Sequence, residues 1–520
     1  MNGTPRNSVR TCSRMPLLAI LVTALTLCAL STAVHSDSNE NPVAELGSVA
    51  GDDDACLPFT MPSKDVLFSS ARKVFAHYFY PFPLSIDNKP AAQDYYNTQY
   101  LNPNGESNKW LVQGGYLRQR PLAVAVNSDP NWQVVNMERE VRMAIARGIT
   151  GFTVDVMSLD QATNAASKLH HILQAAQAVD PRFKIVVMPD IDGLGADASA
   201  VVQVIAAVAS SPAAYRLSDG RLVVTAFNAS RNPPSWWASV FRQLNAEGIK
   251  VAFVPTFLGW GAQASAFDSI SYGFAEWGIA TPGGSSIIRN DPRVAHNTYD
   301  KIYMMPVDPQ QFRPKEFLLW EAGNSGAFRN AWMSAIQGEA DWVQLVTWSD
   351  FSESSQVEPY TDASLAADIG TGYYNLNGYY AAWFLTRQQP VITHDVLYYF
   401  YRRSPYGAPG TGRGKSLTLK KGKAEDDIEL LAFLAAPGVL KITVAGHTFE
   451  QVAMAGITSF KVPSHSGQPT FALLRDGADV VVFQGRIQIH DGSDDPSPVH
   501  DMTYWSGSAA RDGVCSLQAN

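Results

Sequence analysis

The sequence predicts an α/β fold: a (β/α)8 TIM-type barrel followed by a C-terminal β-sandwich. Three observations carry that expectation. Between residues 73 and 348, eight short apolar runs alternate with helical stretches, and most of these runs are apolar on both faces. Strands buried on both faces and parted by crossovers form parallel sheets covered by helices. Eight such units over roughly 280 residues fit a closed barrel, whose active site lies at the C-terminal strand ends. No G-x-G-x-x-G or Walker A pattern follows any run, which counts against an open nucleotide-binding sheet. Beyond residue 396, short strands alternate with turn residues such as Asp476-Gly477, as in a sandwich.

The whole chain sets limits on function. At 520 residues it is too long for one ordinary core, so two or three domains are expected. Charged residues make up 17%, below the roughly 25% of typical soluble domains. The 12 Trp and 20 Tyr exceed what packing alone usually demands. The net charge is -8 and no block of Lys or Arg occurs, which speaks against nucleic acid as a partner. Asp52-Asp53-Asp54 is a short solvated run. A neutral, polar ligand that stacks on aromatic rings fits this balance.

Taken in order, the chain starts with a basic region at Arg6, Arg10 and Arg14, then an apolar stretch over residues 16–33. Small residues at Ser31, Ala33 and Ser36 offer cleavage points. Residues 1–36 therefore read as a secretory signal peptide, and secretion is expected. No other run is long and apolar enough to cross a bilayer, so no membrane association is expected after cleavage. Residues 37–70 read as an acidic linker.

Loss of the signal removes Cys12 and Cys28 and leaves Cys56 and Cys515. Two cysteines near the ends of an exported chain are expected to form a disulfide. With no C-x-x-C or H-x-x-x-H pattern, neither a metal nor any other cofactor is expected.

The barrel is expected over residues 71–395, with strands at 73–78, 149–155, 183–190, 221–226, 250–255, 271–277, 302–307 and 342–348. Helices are expected at 137–147, where Val141, Ala144 and Ile145 share a face, and at 162–178 and 379–387. The sandwich is expected over residues 396–520, with strands at 396–403, 428–434, 440–444, 449–452, 459–462, 470–474, 480–483 and 487–489.

Chemistry concentrates where the last barrel strand ends, in Val346-Thr347-Trp348-Ser349-Asp350-Phe351-Ser352-Glu353-Ser354. Two carboxyl groups within four residues, flanked by Trp348 and Phe351, are what sugar cleavage needs. One protonates the leaving oxygen, and the other handles water or the anomeric carbon. The same D-x-x-E spacing is also that of a capping box. Other strand ends add His77, Asp155, Asp190 with Asp192, Glu276 with Trp277, and Asp308. Singly, these read as turn residues, caps or a core histidine.

The stretch around Asp350 resembles the recurring core W-N-D-Y-G-E-S of glycoside hydrolase family 71, the α-1,3-glucanases or mutanases. Trp348, Asp350, Glu353 and Ser354 match it, while Ser349, Phe351 and Ser352 replace Asn, Tyr and Gly. Val74-Phe-Ala-His-Tyr78 is similar to the family's first strand, and Gly148-Ile-Thr-Gly-Phe152 to its G-I-D-G-F. Asn377-Gly-Tyr-Tyr-Ala381, Pro390 and Tyr398-Tyr-Phe-Tyr-Arg402 resemble the passage into its C-terminal β region.

The resemblance implies a barrel with an appended β-sandwich and hydrolysis of α-1,3-linked glucan at internal bonds with inversion. It places the catalytic acids on Asp350 and Glu353, with Asp155 at a third family aspartate. Glu353 is read as the acid, because its longer side chain can reach up to a glycosidic oxygen. Candidate substrate contacts are His77 and Asp190, with Trp260, Trp277 and Trp348 as stacking platforms. The expected partner is a polysaccharide, an α-glucan, and the chain is expected to be a monomer. Two other readings stand beside this one: hydrolysis of another polysaccharide, such as a mannan or exopolysaccharide, and glycan binding without catalysis.

Overall fold

The computed structural model describes residues 56–102, 105–108, 119–278, 289–362, 369–407, 417–491, 501–511 and 513–515. The signal-peptide segment lies outside them. Eight strands close a parallel barrel: β1 (Lys73–Tyr78), β2 (Gly151–Val156), β3 (Lys184–Pro189), β4 (Leu222–Ala226), β5 (Val251–Phe257), β6 (Gly273–Glu276), β7 (Ile302–Val307) and β8 (Trp342–Leu345). They run in sequence order around the barrel, and β8 pairs with β1 to shut it. All eight coincide with runs expected from the sequence.

Their side chains alternate by the period of two that a strand imposes. Outward residues such as Val74, Phe152, Ile185 and Val343 pack under the surrounding helices in one buried cluster. Inward residues Phe75, Val186, Val223, Ala252, Val254, Ala275, Met304 and Trp342 fill the barrel as a second. The helix Trp132–Ala146 shows how a crossover is made. Met137, Val141, Ala144 and Ile145 fall at helical spacing and are buried. The helix stops at Gly148, whose φ is +76°, with its N–H donating to the Ile145 carbonyl at 3.0 Å. A Cβ there would also lie 2.9 Å from the Cβ of Ala381.

The C-terminal part forms two facing antiparallel sheets. One contains β9 (Val396–Arg402), β10 (Asp427–Leu434), β13 (Gly456–Pro463), β16 (Tyr504–Ala510) and β17 (Gly513–Val514), in the order β13-β10-β9-β16-β17. The other contains β11 (Gly438–Val444), β12 (His447–Ala453), β14 (Thr470–Arg475) and β15 (Ala478–Gln484), in the order β12-β11-β14-β15. Leu397, Tyr399, Leu430, Leu440, Ile442, Phe471 and Phe483 from both sheets share one buried core, as in a sandwich.

The structure departs from expectation in a few places. β16 reads Tyr-Trp-Ser-Gly-Ser-Ala-Ala, is buried throughout, and lies centrally between β9 and β17. Its small residues have a steric cause, since a Cβ at Gly507 would sit 2.6 Å from the Tyr399 hydroxyl. Expected strand 487–489 contributes only an isolated pairing of Ile489 with Gly467. Residues 64–69, read as linker, form a helix, and Leu57, Phe59 and Leu67 are buried in the barrel-side core. Two small sheets beside the barrel mouth were not foreseen. One joins Gln119–Pro121, Tyr360–Asp362 and Ile369–Gly370, the other Gln311–Arg313, Leu318–Trp320 and Thr418–Lys421. Among the described residues, no helix is long and apolar enough to cross a membrane.

Candidate active site

The barrel's inward face changes character toward its C-terminal end. Above the apolar layer, the same faces carry His77, Thr153, Asp155, Thr225, Thr256 and Gln344, all buried. Register sets His77 beside Thr153, and the hydroxyls of Thr225 and Thr256 bond at 2.9 Å. His77 and Asp155 are thus brought to one end of the barrel interior. Burial pushes the His77 imidazole down to about 3. It is therefore neutral at ordinary pH, and its Nδ1 has no partner among the described residues. The half-buried Trp277 meets the His77 ring edge-on at 4.7 Å and Phe227 at 4.8 Å.

Beyond β8, the chain folds back over this mouth through a tight loop. The Trp348 N–H donates to the His77 carbonyl at 2.8 Å, while Thr347 and Val357 pair across the loop through N–H to carbonyl bonds with Ser355 and Thr347. The Thr347 hydroxyl accepts from the Asp350 N–H at 2.8 Å. The Ser349 hydroxyl accepts from the Phe79 N–H at 3.1 Å, tying the loop to the end of β1.

Asp350 is 6% exposed. Its Oδ1 accepts from the Ser352 N–H at 3.0 Å, the Ser352 hydroxyl at 2.7 Å and the Glu353 N–H at 3.1 Å. Burial first, then the neighbouring Glu353, pushes this carboxyl up to about 6, against the pull of the Ser352 hydroxyl. Glu353 is more open. Its Oε2 accepts from the Gln311 amide at 2.7 Å and pairs with the Arg313 guanidinium at 3.0 Å. The loop therefore sets one buried carboxyl, raised by its surroundings, beside one that is more open and ion-paired.

The remaining candidates divide. Trp348 is not available as a stacking platform, because it is fully buried and packs on Phe152 at 5.4 Å. Trp260 is buried too, against Tyr303 at 5.0 Å, with its N–H donating to Asp291 at 3.1 Å. Both are large apolar side chains that the barrel wall takes in. Asp190 caps the turn at Ile191–Leu194, accepting from the N–H groups of Asp192 at 2.8 Å and Gly193 at 3.2 Å. Of the three tryptophans, Trp277 alone stays at the mouth.

Cys56 and Cys515 come together. A hydrogen bond from Cys56 lowers the Cys515 thiol below its usual range, ahead of the opposing effect of burial. Both are thiols in this structure, so the expected disulfide is not shown. Among the described residues, no group of three or more His, Cys, Asp or Glu side chains could hold a metal ion.

Asp308, one of the strand-end acids, follows β7, and burial pushes it up to about 7. Sequence reading passed over two other features. Glu358 closes the acid loop. It is 1% exposed, and neither of its carboxyl oxygens has a partner among the described residues. Burial, then the nearby Glu140, raises it well above the usual carboxylate range. Glu140 is itself pushed up to about 8 by burial, while accepting from the Tyr78 hydroxyl at 2.9 Å and the Leu84 N–H at 3.1 Å. The second is the Gln311–Arg313 strand, whose polar alternation was the only signal.

A closed parallel barrel whose C-terminal mouth carries two neighbouring carboxyl groups and an open aromatic ring has the build of a glycoside hydrolase. Comparison with known proteins agrees. Residues 124–518 match the model of glycosyl hydrolase family 71, and the chain belongs to that family.

Among curated relatives, "Glucan endo-1,3-alpha-glucosidase agn1" of Schizosaccharomyces pombe is 24% identical, covering 68% of this chain and 87% of its own. "Mutanase Pc12g07500" of Penicillium rubens is 25% identical, covering 69% and 83%. Among solved structures, the GH99 endo-alpha-mannosidase from Bacteroides thetaiotaomicron overlaps 60% of this chain and 97% of its own, at 14% identity and a TM-score of 0.44. The eight-stranded closure is read from this chain's own register.

Proposed function

We propose that the protein is a secreted hydrolase of α-1,3-linked glucan, cutting internal bonds with inversion, with Asp350 as general acid and Glu353 as general base. The observation that carries the reading is the unequal pair at the end of β8. An inverting hydrolase needs one carboxyl that holds a proton and one that accepts a proton from water. Burial holds Asp350 near 6, so it keeps its proton in mildly acidic solution. Glu353, the more open of the two, is ion-paired with Arg313 at 3.0 Å. This reverses the assignment based on side-chain reach, because environment outweighs length.

In the step proposed, a water oxygen bonds to the anomeric carbon as the glycosidic C–O bond breaks. The water's proton goes to Glu353, and the proton of Asp350 goes to the departing oxygen. Asp155 and the neutral His77 line the barrel end below and would orient sugar hydroxyls, with Trp277 stacking on a sugar face. Residues 71–395 are proposed as the catalytic barrel and 396–520 as an accessory sandwich.

Both curated relatives described above are named for α-1,3-glucan or mutan hydrolysis. Their names support the substrate class, and the N-terminal apolar stretch supports secretion. The test is reducing-sugar release from a panel of α-1,3-, β-1,3- and α-1,4-glucans and α-mannan, with proton NMR of the first product. Release from α-1,3-glucan with the β-anomer appearing first is expected. Release from α-mannan alone would reassign the substrate, and first appearance of the α-anomer would mean retention.

A further inference from the structure

We propose that Arg313 and Gln311 are positioning residues for hydrolysis: they hold Glu353 by one carboxylate oxygen, so that the other meets the attacking water. The proposal rests on the reading of Glu353 as the base. Neither residue belongs to the barrel or to the motif around Asp350. They stand on a strand of the small sheet beside the mouth, Gln311–Arg313, paired antiparallel with Leu318–Trp320.

Strand alternation does the placing. Phe312 turns inward and is buried with Leu319 and Met502. Gln311 and Arg313 turn to the opposite face, toward Glu353. Their contacts, at 2.7 Å and 3.0 Å, both fall on Oε2. The backbone is tied in as well, with the Phe312 N–H donating to the Glu353 carbonyl at 3.0 Å. Arg313 is itself held, its guanidinium lying 5.0 Å over the Trp320 ring and 3.8 Å from the Glu316 carboxylate.

A free glutamate has several rotamers and two equivalent oxygens. A base that must take one proton along one line gains from losing that freedom beforehand. Two donors on Oε2 remove it and leave Oε1 to accept the proton. The charged groups about this carboxylate are Arg313, Asp350 and, through Arg313, Glu316, while Lys315 acts on Asp350. Arg313 is the cation in direct contact with the base.

The experiment measures kcat, KM and the pH profile of the full chain on α-1,3-glucan for Arg313→Ala, Arg313→Lys and Gln311→Met. Arg313→Ala is expected to lower kcat about 10–10²-fold, the scale of a misplaced catalytic group, with KM little changed. The acidic limb of the profile should move to higher pH, and Arg313→Lys should restore part of both effects. Gln311→Met removes the other donor and should move the limb in the same direction by less. It serves as the reporter if Arg313→Ala does not fold. A fall in kcat with an unmoved acidic limb and no restoration by lysine would overturn the proposal, as would unchanged kinetics while Glu353→Gln is inactive. Full activity of Glu353→Gln would instead remove the reading of the base itself, and the proposal with it.

Discussion

The Trp348 N–H donates to the His77 carbonyl across 2.8 Å, joining the acid loop to the strand that closes the barrel. His77 points into the barrel, and Trp348 packs outward on Phe152. One backbone bond therefore fixes where Asp350, two residues on, stands over the barrel interior. The same bond explains why a tryptophan in the family motif serves the wall rather than a sugar.

Trp348 in the wall and Trp277 at the mouth should separate cleanly. Trp348→Ala opens a large cavity in the wall and should cost about 3–5 kcal/mol of stability, read by denaturant unfolding. Trp277→Ala should leave the melting temperature almost unchanged while raising KM. Equal stability losses for both would assign Trp277 to the core.

Asp350 should set the alkaline limb of activity. Its folded value, raised to about 6 by burial, means that the acid form is lost as pH rises through about 6. Ser352 donates to this carboxyl through its hydroxyl, which favours the charged form and draws the value down. Ser352→Ala should therefore move the alkaline limb to higher pH. A shift to lower pH would contradict the assignment of Asp350 as acid.

Glu358 should cost stability at neutral pH. Its folded value lies well above its unfolded one, so the folded chain keeps a proton that the unfolded chain releases. The stabilising contribution is complete at low pH and fades as pH climbs from the unfolded value, by up to about 1.4 kcal/mol per pH unit. Glu358→Gln should unfold at a higher temperature than the parent at pH 7 and at the same temperature near pH 4. Arg139 and Glu140 face this group and remain in the variant. A gain equal at both pH values would show that titration of Glu358 is not its source.

Cys56 and Cys515 are expected to oxidise to a disulfide in an oxidising compartment, since their side chains already meet. Closing so long a loop should add about 3–5 kcal/mol on chain-entropy grounds. Peptide mapping without reductant should recover the linked pair. Two alkylated thiols from protein made in an oxidising compartment would exclude it.

The barrel was legible because its strands are buried on both faces and its helices show a clear period, as Val141, Ala144 and Ile145 do. The acid loop was legible through its motif. Other elements were hidden for physical reasons. β16 is small through its middle, Ser506-Gly507-Ser508, where Tyr399 leaves no room for a Cβ at Gly507, so neither apolar alternation nor β-branching marks it. Trp260 and Trp348 look like platforms in sequence, yet indole rings serve walls as readily as ligands. Arg313 and Glu358 escaped because their importance comes from partners distant in the chain, which composition and spacing do not encode.

Cleavage of α-1,3-glucan is proposed to need both Asp350 and Glu353. The most direct measurement is the initial rate of reducing-sugar release from α-1,3-glucan by Asp350→Asn and Glu353→Gln, each with its melting curve. Both variants should fold and lose about 10²–10⁴-fold in kcat, the usual worth of a proton-transfer group. Near-parental rates in either variant, with unchanged melting, would contradict the account.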